Sequence, residues 1–452
     1  MDFSNKKIVI MGLGLNNGGV GTAKFFCKQK AEVLVTDLKT KKQLKESIDK
    51  LKGLPIKYIL GKHRKEDFEN ADLIIKNPDV PQDSVYLKIA KKKNITIETD
   101  INLFFKLSGA YIIGITGTKG KSTISTLIYK LLKSKYKNTF LAGNIGISPL
   151  EMLSKVKKGD KVVLELSSFE LEDLEISPQI AIFSNILKDH LNRYKNINKY
   201  IEAKKNIFKY QNKNDILILN YDNLKTRELS KLANSKVYFY SIKHAEDRPL
   251  QILGCYLNNQ KIFFNNEKKP ILNVRDIKLY GEHNLSNILS AISCAKILKV
   301  SNNEIEKNIK KFRGIANRQE FIKENRGVKY FNDTTATMPD AVEQALRTMR
   351  ERFFESKIVL IAGGQDKKLN FNVLKEKPDF LVLLPGTASE KIKNKFNVKT
   401  FLVESMEQAV KKADQLSEKG DIVLLSPGSA SFNLFKNEFH RGKEFIKYVN
   451  QL

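Results

Sequence analysis

The stretch from Tyr111 to Thr123, YIIGITGTKGKST, constrains the fold more than any other part of the chain. Its first five residues are apolar or glycine and predict a buried strand. A helix is predicted from Ile124 to Lys133, so its N-terminal amide groups and its dipole face whatever the connecting loop binds. A glycine-rich turn between a buried strand and a helix is typical of phosphate binding.

The residue types in this loop fit that chemistry. Gly117 and Gly120 let the backbone fold tightly around an anion, and Lys121 supplies a positive charge for phosphate oxygens. Ser122 or Thr123 supplies a hydroxyl group for Mg²⁺. The alternative is an ordinary glycine-rich turn that binds nothing. We favour a nucleotide-binding enzyme core, because Gly-Lys-Ser-Thr directly after a buried strand rarely occurs without a phosphate.

The composition limits the domain organisation and the partners. A chain of 452 residues is too long for one hydrophobic core, and two or three domains are expected. It has 79 Lys and Arg against 50 Asp and Glu, a formal net charge of +29. Such a charge can indicate nucleic-acid binding. The excess is mostly lysine spread along the whole chain, so we expect no nucleic-acid partner, only a positive field that favours an anionic nucleotide.

Cysteine spacing and hydropathy indicate the compartment. Cys27, Cys255 and Cys294 lie far apart and lack the spacing of metal or redox motifs. The N-terminus lacks a charged-then-apolar signal segment, and no apolar run approaches membrane-spanning length. We therefore expect reduced thiols in a soluble, cytoplasmic protein with no membrane partner.

The first hundred residues begin as a Rossmann-like unit. A strand predicted from Lys7 to Met11 leads into a glycine-rich turn and a helix that ends at Lys30. A second strand, Val33 to Val35, is followed by Asp37, placed where a ribose hydroxyl group can be bound. The glycines at 12, 14 and 18 are spaced one residue more widely than in the dinucleotide fingerprint. The unit indicates some nucleotide portion bound by helix amides rather than NAD.

The rest of the chain alternates strands with helical stretches, which predicts parallel sheets covered on both faces. We expect three α/β domains: a Rossmann-like N-terminal domain (1–99), a central phosphate-loop ATPase domain with a mainly parallel sheet (100–314) and a C-terminal Rossmann-like domain (315–452). Residues 244–276 are expected to form a meander, and the closing helix is expected to begin at about Phe432. Further strands are predicted at 73–76, 95–98, 140–142, 162–166, 180–183, 216–219, 328–331, 358–362, 380–384 and 422–425.

Several polar residues outside the loop are candidates for the same site. Glu165 lies at the end of a predicted strand, and ligands of parallel sheets sit at the carboxyl ends of strands, so it can face the Mg²⁺ held by Ser122. His190 follows a buried strand and is a candidate metal ligand or proton carrier. Taken alone, each has a plainer interpretation: a surface carboxylate, an exposed loop histidine and, for Lys204, a solvated lysine. Two side-chain amides at the start of a long helix could bind a base or a phosphate, those of Asn284 and Asn287.

Together these motifs resemble the Mur ligase family, the ATP-dependent amide ligases of peptidoglycan precursor synthesis, and most closely its D-glutamate-adding branch. The resemblance covers essentially the whole chain. It is carried by ITGTKGKST (115–123), GNIG (143–146), ELSSF (165–169), DHLNR (189–193), YIEAK (200–204), HN (283–284), NRQE (317–320), NDTTAT (332–337), GGQDK (363–367), LSPGSASF (425–432) and FKNEFHRG (435–442).

The resemblance implies an enzyme that uses ATP to activate the carboxylate of UDP-N-acetylmuramoyl-L-alanine as an acyl phosphate, which the amine of D-glutamate then attacks. It also implies a cytoplasmic monomer whose partners are small molecules only: the UDP-sugar, D-glutamate and ATP.

The resemblance further implies roles for individual residues. The ATP ligands would be Gly117, Thr118, Lys119, Gly120, Lys121, Ser122, Thr123, Asn284, Asn287, Arg318 and Asp333. Ser122 and Glu165 would hold one Mg²⁺, and His190 and a carbamylated Lys204 would hold a second. Lys121, Glu165, His190 and Lys204 would be the catalytic residues. The UDP-sugar contacts would be Leu15, Asn16, Asp37 and Asn144, and the D-glutamate contacts would be Thr337, Lys367, Ser431 and Phe439.

The chain departs from the family pattern at a few positions. Lys119 stands where Asn is usual, Thr335 where Lys is usual and Asp79 where Gly is usual, and Glu438-Phe439 inverts the usual Phe-Glu order. These departures leave the expected chemistry intact and bear on the UDP contacts and on Phe439.

Other functions explain less of the sequence. A Mur ligase for another amino acid, or a folylpolyglutamate synthase, does not account for the segment 431–442. A nicotinamide-dependent oxidoreductase accounts for Gly12 to Asp37 but not for Lys121 or Glu165. A basic nucleic-acid-binding protein with a phosphate loop accounts for the charge but not for the N-terminal domain.

Overall fold

The computed structural model describes residues 1–15, 17–187, 191–194, 196–243, 253–279, 281–366, 369–431 and 434–452. They form two compact units. The first unit comprises Met1–Ile277 and His283–Lys310, and the second unit comprises Lys278–Glu282 and Lys311–Leu452.

The first unit begins with a sheet of five parallel strands. Its strands are β1 (Lys7–Met11), β2 (Glu32–Asp37), β3 (Ile56–Leu60), β4 (Leu73–Lys76) and β5 (Thr96–Glu98), and its helices are α1 (Gly18–Lys28), α2 (Lys45–Asp49), α3 (Lys65–Glu69) and α4 (Val85–Lys92). The strand order is β3-β2-β1-β4-β5. The order reverses at β1, so a ligand is expected in the crevice outside the carboxyl ends of β1 and β4.

The second sheet of the first unit has nine strands. They are β6 (Tyr111–Thr116), β7 (Thr139–Gly143), β8 (Lys161–Glu165), β9 (Ile180–Phe183), β10 (Ile216–Asn220), β11 (Lys236–Ser241), β12 (Gly254–Asn258), β13 (Lys261–Phe264) and β14 (Leu272–Asn273). The strand order is β14-β13-β12-β11-β10-β9-β6-β8-β7. From the edge strand β7 across the sheet to β12, including β6, each strand is parallel to its neighbour. The strands β12, β13 and β14 pair antiparallel, which confirms the meander in the described part of 244–276.

Helices cover this sheet and leave its central strands without solvent contact. They are α5 (Asp100–Leu107), α6 (Lys121–Lys133), α7 (Pro149–Met152), α8 (Ser168–Leu171), α9 (Leu191–Tyr194), α10 (Ile197–Lys209), α11 (Leu224–Leu229), α12 (Glu282–Ile297) and α13 (Asn302–Lys311). Residues Ile112 to Thr116 of β6 and all of β9 are buried. A strand covered on both faces has a continuous apolar sequence. The parallel pairing of β6 with β8 and β9 confirms the predicted parallel sheet.

The two sheets of the first unit share one hydrophobic core. A single cluster of buried residues contains Val20 and Phe26 of α1, Leu103 and Phe104 of α5, and Phe183 of β9. The helix α5 therefore lies inside the core that joins both sheets.

The second unit contains one sheet of six strands. Its strands are β15 (Glu320–Asn325), β16 (Val328–Asn332), β17 (Ile358–Gly363), β18 (Phe380–Leu384), β19 (Lys399–Leu402) and β20 (Ile422–Leu425), and its helices are α14 (Pro339–Arg352), α15 (Ser389–Phe396), α16 (Met406–Leu416) and α17 (Glu438–Asn450). The strand order is β15-β16-β20-β17-β18-β19, with only β15 antiparallel to its neighbour. The α/β fold class is confirmed.

The closing helix begins later than predicted. It starts at Glu438 rather than near Phe432, which lies outside the described residues. Asn437 caps the helix, because its side-chain oxygen accepts a hydrogen bond from His440 N at 2.8 Å. Among the described residues, no helix is both long and apolar enough to span a bilayer.

Candidate functional site

The loop between β6 and α6 has a shape that requires its glycines. Gly117 has a φ of 145° and Gly120 a φ of 86°, values that favour glycine. A Cβ atom at Gly117 would lie 1.8 Å from Ser184 Oγ, and one at Gly120 would lie 2.3 Å from Asn287 Oδ1. Helix α6 begins at Lys121, so the amide groups of its first turn are available to an anion at this loop.

Residues that follow β9 hold the loop in place. Asn185 Oδ1 accepts from Lys119 N (2.9 Å), and Asn185 Nδ2 donates to Lys119 O (3.1 Å). Ser184 Oγ donates to the same carbonyl group (2.8 Å), and Thr118 N donates to Asn185 O (2.9 Å). A loop that is already ordered loses less entropy when it binds. Because the contacts to Lys119 use its backbone, the departure from Asn at this position leaves the anchoring intact.

The Lys121 ammonium group lies over the loop backbone. Its Nζ donates to Gly117 O at 3.1 Å and to Thr118 O at 3.2 Å. Phosphate oxygens are expected at this position in a phosphate loop. Lys121 is therefore placed to bind a phosphate with little movement of the backbone.

Glu165 ends β8 directly beside the loop. The strand register pairs it with Ile115 of β6 and Gly143 of β7, and it is 2% exposed. Its Oε1 accepts from Asn144 Nδ2 at 3.3 Å, whereas its Oε2 is buried without a hydrogen-bond partner in the described part of the chain. Such an oxygen is costly to bury, and a divalent cation is one partner that can satisfy an oxygen of this kind. The interpretation of Glu165 as a surface carboxylate is wrong.

The donor types around Glu165 fit a hard cation with few protein ligands. The described residues contain no group of three His, Cys, Asp or Glu side chains that could hold a metal. Mg²⁺ commonly completes its shell with hydroxyl groups, substrate phosphates and water instead. Ser122, in the first turn of α6, supplies a hydroxyl group at the loop.

Lys204 on α10 is buried against the phosphate loop and is only 1% exposed. Its Nζ donates to Thr116 Oγ1 (3.1 Å) and to Gly117 O (2.9 Å), and lies 4.9 Å from the centre of the Tyr200 ring. The Tyr200 hydroxyl group is hydrogen-bonded to Thr118 Oγ1 at 3.2 Å. The interpretation of Lys204 as a solvated lysine is wrong.

The first two turns of α12 bring two side-chain amides to the loop. Asn287 is 6% exposed, and its Nδ2 donates to Asn284 Oδ1 at 3.4 Å. The Oδ1 atom of Asn287 is the close neighbour of Gly120 described above. Both candidate asparagines therefore lie at the loop that carries Lys121.

A cleft in the first unit is lined by residues of both its sheets. Leu15 and Asn144, two of the residues expected to contact a UDP-sugar, line it together with Asp100 and Glu170. Burial raises the pKa of Asp100 to about 6 and that of Glu170 to about 7. Near neutral pH the Glu170 carboxyl group is therefore partly protonated and can donate as well as accept a hydrogen bond.

Asp37, at the end of β2, shapes the glycine-rich turn. Its Oδ2 accepts from Leu13 N (2.9 Å) and Gly14 N (3.2 Å), and its Oδ1 accepts from Lys39 N (2.8 Å). The side chain is thus engaged with backbone amides, and a direct ribose contact through it stays a prediction.

In the second unit, Asp333 lies at the carboxyl end of β16. Its Oδ2 accepts from Ser426 Oγ (2.9 Å), and its Oδ1 accepts from Gln319 N (3.1 Å). Burial raises the pKa of Asp333 to about 7, and these hydrogen bonds and the nearby Arg318 oppose the rise. The two predicted ATP ligands of this unit, the exposed Arg318 and the buried Asp333, therefore lie close together.

The loops that follow β16, β20 and β17 are joined by backbone hydrogen bonds. Gln365 and Ala430 exchange two of them, both at 3.0 Å, and Gly428 N donates to Ala336 O at 2.8 Å. Three of the predicted D-glutamate residues lie on these loops or on the neighbouring α17: Thr337, which is half-buried, Ser431, which is 4% exposed, and Phe439, which is 51% exposed.

A buried guanidinium group ties α17 to two of these loops. Arg441 is 0% exposed; its Nε and Nη2 donate to Thr334 Oγ1 (3.1 Å) and Thr334 O (2.9 Å), and its Nη1 donates to Ser429 O (3.2 Å). Burial lowers the pKa of Arg441 to about 10, and the nearby Glu438 opposes this. The loops that carry Thr337 and Ser431 therefore share one internal support.

Three family models match the chain: "Mur ligase MurD-like, N-terminal domain" at residues 6–99, "Mur ligase middle domain" at 115–295 and "Mur ligase, glutamate ligase domain" at 317–428. The UDP-N-acetylmuramoylalanine--D-glutamate ligase of Roseiflexus sp. (strain RS-1) is 38% identical over 467 residues, covering 99% of both chains. The chain belongs to the Mur ligase family. The proteins of the same name from Borreliella afzelii and Clostridioides difficile are 38% and 37% identical over 99% or more of each chain.

Solved Mur ligases share the fold of this chain. The UDP-N-acetylmuramate-alanine ligase of Thermotoga maritima has a TM-score of 0.60 and 20% identity over 99% of both chains. A murein peptide ligase of Psychrobacter arcticus has a TM-score of 0.53 and 14% identity, again over 99% of both chains.

The structure brings together most of the predicted ATP-binding and metal-binding residues of the first unit in this Mur ligase. They lie on the phosphate loop, at the end of β8, on α10 and at the start of α12. Three predicted site residues, Asn16, His190 and Lys367, lie outside the described residues.

The residues that support this Mur ligase site were not among the predicted site residues. Ser184 and Asn185 follow β9, which is the neighbour of β6, and the reasoning that found Glu165 at the end of β8 applies equally to them. Arg441 carried no such signal, because an arginine on a C-terminal helix is usually exposed.

Proposed function

We propose that this Mur ligase joins D-glutamate to UDP-N-acetylmuramoyl-L-alanine at the expense of ATP, in the cytoplasmic synthesis of peptidoglycan precursors. The observation that carries the proposal is the identity of 34–38% with proteins named for this ligase, over at least 97% of each chain compared. The phosphate loop and the buried carboxylate of Glu165 support an ATP-dependent reaction.

The reaction has two chemical steps. A carboxylate is a poor electrophile, so it first attacks the γ-phosphorus of ATP, which releases ADP and leaves an acyl phosphate. The amine of D-glutamate then adds to the acyl carbon, and the tetrahedral intermediate expels phosphate to leave the amide. The protein contributes by positioning the reactants and by stabilising negative charge.

The phosphate loop supplies the nucleotide site in this proposal. Lys121 exchanges its hydrogen bonds to loop carbonyl groups for bonds to the β- and γ-phosphates of ATP. The remaining ATP ligands are the loop residues Gly117 to Thr123, together with Asn284, Asn287, Arg318 and Asp333. The anchoring of the loop by Ser184 and Asn185 keeps its amide groups aimed at the phosphates.

Two Mg²⁺ sites are part of the proposal. Bound Mg²⁺ neutralises phosphate charge and polarises the phosphoryl oxygens. Glu165 and the Ser122 hydroxyl group would hold the first ion, and His190 and Lys204 would hold the second.

Lys204 serves the second ion as a carbamate. An ammonium group cannot ligate Mg²⁺, which prefers oxygen donors. Removal from water disfavours the charged form of an amine, and only the neutral amine reacts with CO₂. The product carries two oxygens and a negative charge at a position beside Gly117. The burial of Lys204 against the phosphate loop supports this role.

The substrate sites follow the domain organisation. The N-terminal domain (1–99) provides Leu15, Asn16 and Asp37 for the UDP-sugar, and Asn144 of the central domain (100–314) faces the same cleft. The C-terminal domain (315–452) provides Thr337, Lys367, Ser431 and Phe439 for D-glutamate.

A ligation assay tests the proposed function. Purified protein is incubated with UDP-N-acetylmuramoyl-L-alanine, ATP, Mg²⁺ and one amino acid from a panel, and phosphate release and product mass are recorded. We expect product with D-glutamate and none with L-glutamate, L-lysine or glycine. Product with another amino acid, or phosphate release that requires DNA or RNA instead of the UDP-sugar, would overturn the proposal.

A further inference from the structure

The loop after β4, with the sequence Asn77-Pro-Asp-Val-Pro81, has few hydrogen-bond donors of its own. Its two prolines have no N–H group. The Asn77 side chain accepts from Asp79 N (3.1 Å), and Val80 N donates to Asn77 O (2.9 Å). The turn holds Asp79 at a negative φ, so the glycine that is usual in the family is not required here. The carbonyl groups of Pro78 and Asp79 still need donors.

Arg193 supplies those donors. Its Nη2 donates to Pro78 O at 3.0 Å, and its Nη1 donates to Asp79 O at 3.2 Å. The same Nη2 is hydrogen-bonded to Glu172 Oε2 at 3.0 Å, and the guanidinium carbon lies 4.3 Å from the centre of the Phe169 ring. The planar guanidinium group of an arginine can stack on an aromatic ring while two of its nitrogens donate within one fixed plane, and an ammonium group lacks this geometry.

A second ion pair fastens the loop on its other side. Lys76 Nζ lies 2.7 Å from Asp173 Oδ2 and donates to Val80 O at 3.1 Å. Gln82 Nε2 donates to Asp173 Oδ1 at 2.9 Å. The loop of the first sheet is therefore fixed to the segment that follows α8 of the second sheet, within the first unit.

The residues that Arg193 contacts form one wall of the cleft described above. Pro78, Asp79 and Phe169 all line it, together with Leu15 and Asn144. Phe169 stacks on Tyr194 (ring centres 6.0 Å apart), and Tyr194 packs on Tyr200 (5.5 Å), whose hydroxyl group contacts the phosphate loop. Arg193 therefore lies where the wall of the cleft meets the aromatic residues behind the phosphate loop.

We propose that Arg193 is a positioning residue for the UDP-substrate: it fixes the loop 77–81 against Phe169 and so sets the shape of the cleft. The inference rests on the proposed function for the identity of that substrate. If the loop were not held, it would lose conformational entropy when the substrate binds. The affinity for the UDP-substrate would therefore fall. Lys121 Nζ donates to Gly117 O and Thr118 O rather than to this loop, so we expect ATP binding to change little.

Calorimetry without ATP, and steady-state kinetics, test the inference on the full chain. The variants are Arg193→Ala and Arg193→Lys, with Arg227→Ala as the matched control, since Arg227 also lies over an aromatic ring of the first unit (4.9 Å from Tyr221). We expect the Kd and KM for UDP-N-acetylmuramoyl-L-alanine to rise about 10-fold in both Arg193 variants. About two charge-assisted hydrogen bonds are lost, and water compensates for part of that loss. The KM for ATP should change less than about twofold, and the control should match the wild type.

A further variant distinguishes a positioning role of Arg193 from a general loss of protein stability. Glu172→Gln removes the carboxylate that orients Arg193 and should shift the same Kd in the same direction by a smaller factor. An unchanged Kd in Arg193→Ala, full recovery in Arg193→Lys, or an equal rise in the KM values of all three substrates would overturn the inference. Wild-type ligation of D-glutamate in the same assay shows separately whether the proposed function holds.

Discussion

Two glycines with nearly the same backbone φ provide a test of the phosphate loop. Gly120 has a φ of 86° and Gly159 a φ of 84°. A Cβ at Gly120 would meet Asn287 Oδ1 at 2.3 Å, whereas a Cβ at Gly159 meets nothing within 4 Å. Alanine at either position costs about 1–2 kcal/mol for the left-handed conformation alone. Only Gly120→Ala must also displace a neighbour.

The additional cost at Gly120 follows from Asn287. This side chain is 6% exposed and donates to Asn284 Oδ1, so its displacement costs about 1 kcal/mol for a disturbed buried hydrogen bond. We therefore expect a loss of about 2–3 kcal/mol for Gly120→Ala and about 1–2 kcal/mol for Gly159→Ala. Because the added methyl group lies in the phosphate loop, ATP affinity should fall in Gly120→Ala and stay at the wild-type value in Gly159→Ala.

Urea denaturation and ATP calorimetry of both variants give these quantities, and Asn287→Ala completes a double-mutant cycle. In the Asn287→Ala background the stability cost of Gly120→Ala should shrink to that of Gly159→Ala. The close approach of Asn287 would be refuted if the two glycine variants lost equal stability and the cycle showed no coupling between positions 120 and 287.

Three other predictions concern charged groups, two in the first unit and one in the second. Lys121→Ala should lose roughly 10³-fold or more in turnover with unchanged affinity for the UDP-substrate, whereas Lys133→Ala, on the last turn of the same helix, should change neither; equal loss of both properties in Lys121→Ala would contradict this division of roles. Lys204→Ala should be nearly inactive and partly restored by acetate, and Lys204→Arg should stay inactive because guanidinium remains positive; an active Lys204→Arg, or wild-type activity insensitive to removal of CO₂, would exclude the carbamate. Because burial raises the pKa of Asp333 from 3.8 to about 7, the folded state holds this proton longer than the unfolded state, so stability should fall as pH rises from about 4 to about 7. Asp333→Asn should remove this part of the pH dependence, and identical pH profiles of the denaturation midpoint for wild type and variant would show that Asp333 does not cause it.

The sequence predicted best the strands that are buried on both faces. The bounds of β4, β9, β18 and β20 agree with the prediction, because each is a short apolar run between polar turns. The strands β3, β11, β15 and β19 were not predicted. β3, β15 and β19 lie at the edge of a sheet, whereas β11 lies inside its sheet but has only two buried residues. Edge strands are partly exposed and mix polar with apolar residues, so their pattern is weak.

The burial of Lys204 could have been predicted from its helix. The buried residues of α10 are Tyr200, Ala203, Lys204, Ile207 and Phe208, the spacing of one helical stripe. A lysine within that stripe faces the core and not the solvent. That Glu165 Oε2 has no hydrogen-bond partner among the described residues could not be predicted, since this depends on which donors the surrounding loops bring within reach.

The position of α5 bears on how the protein can be divided. The expected end of the N-terminal domain at residue 99 falls directly before this helix, whose Ile101, Leu103, Phe104 and Phe105 are buried in the core shared by both sheets of the first unit. Burial of four such side chains contributes on the order of 10 kcal/mol, comparable to the whole stability of a small domain. A fragment cut at residue 99 would lose its apolar cover and aggregate. Exchange of segments between related ligases should therefore succeed with crossovers near residue 311 and fail with crossovers near residue 100.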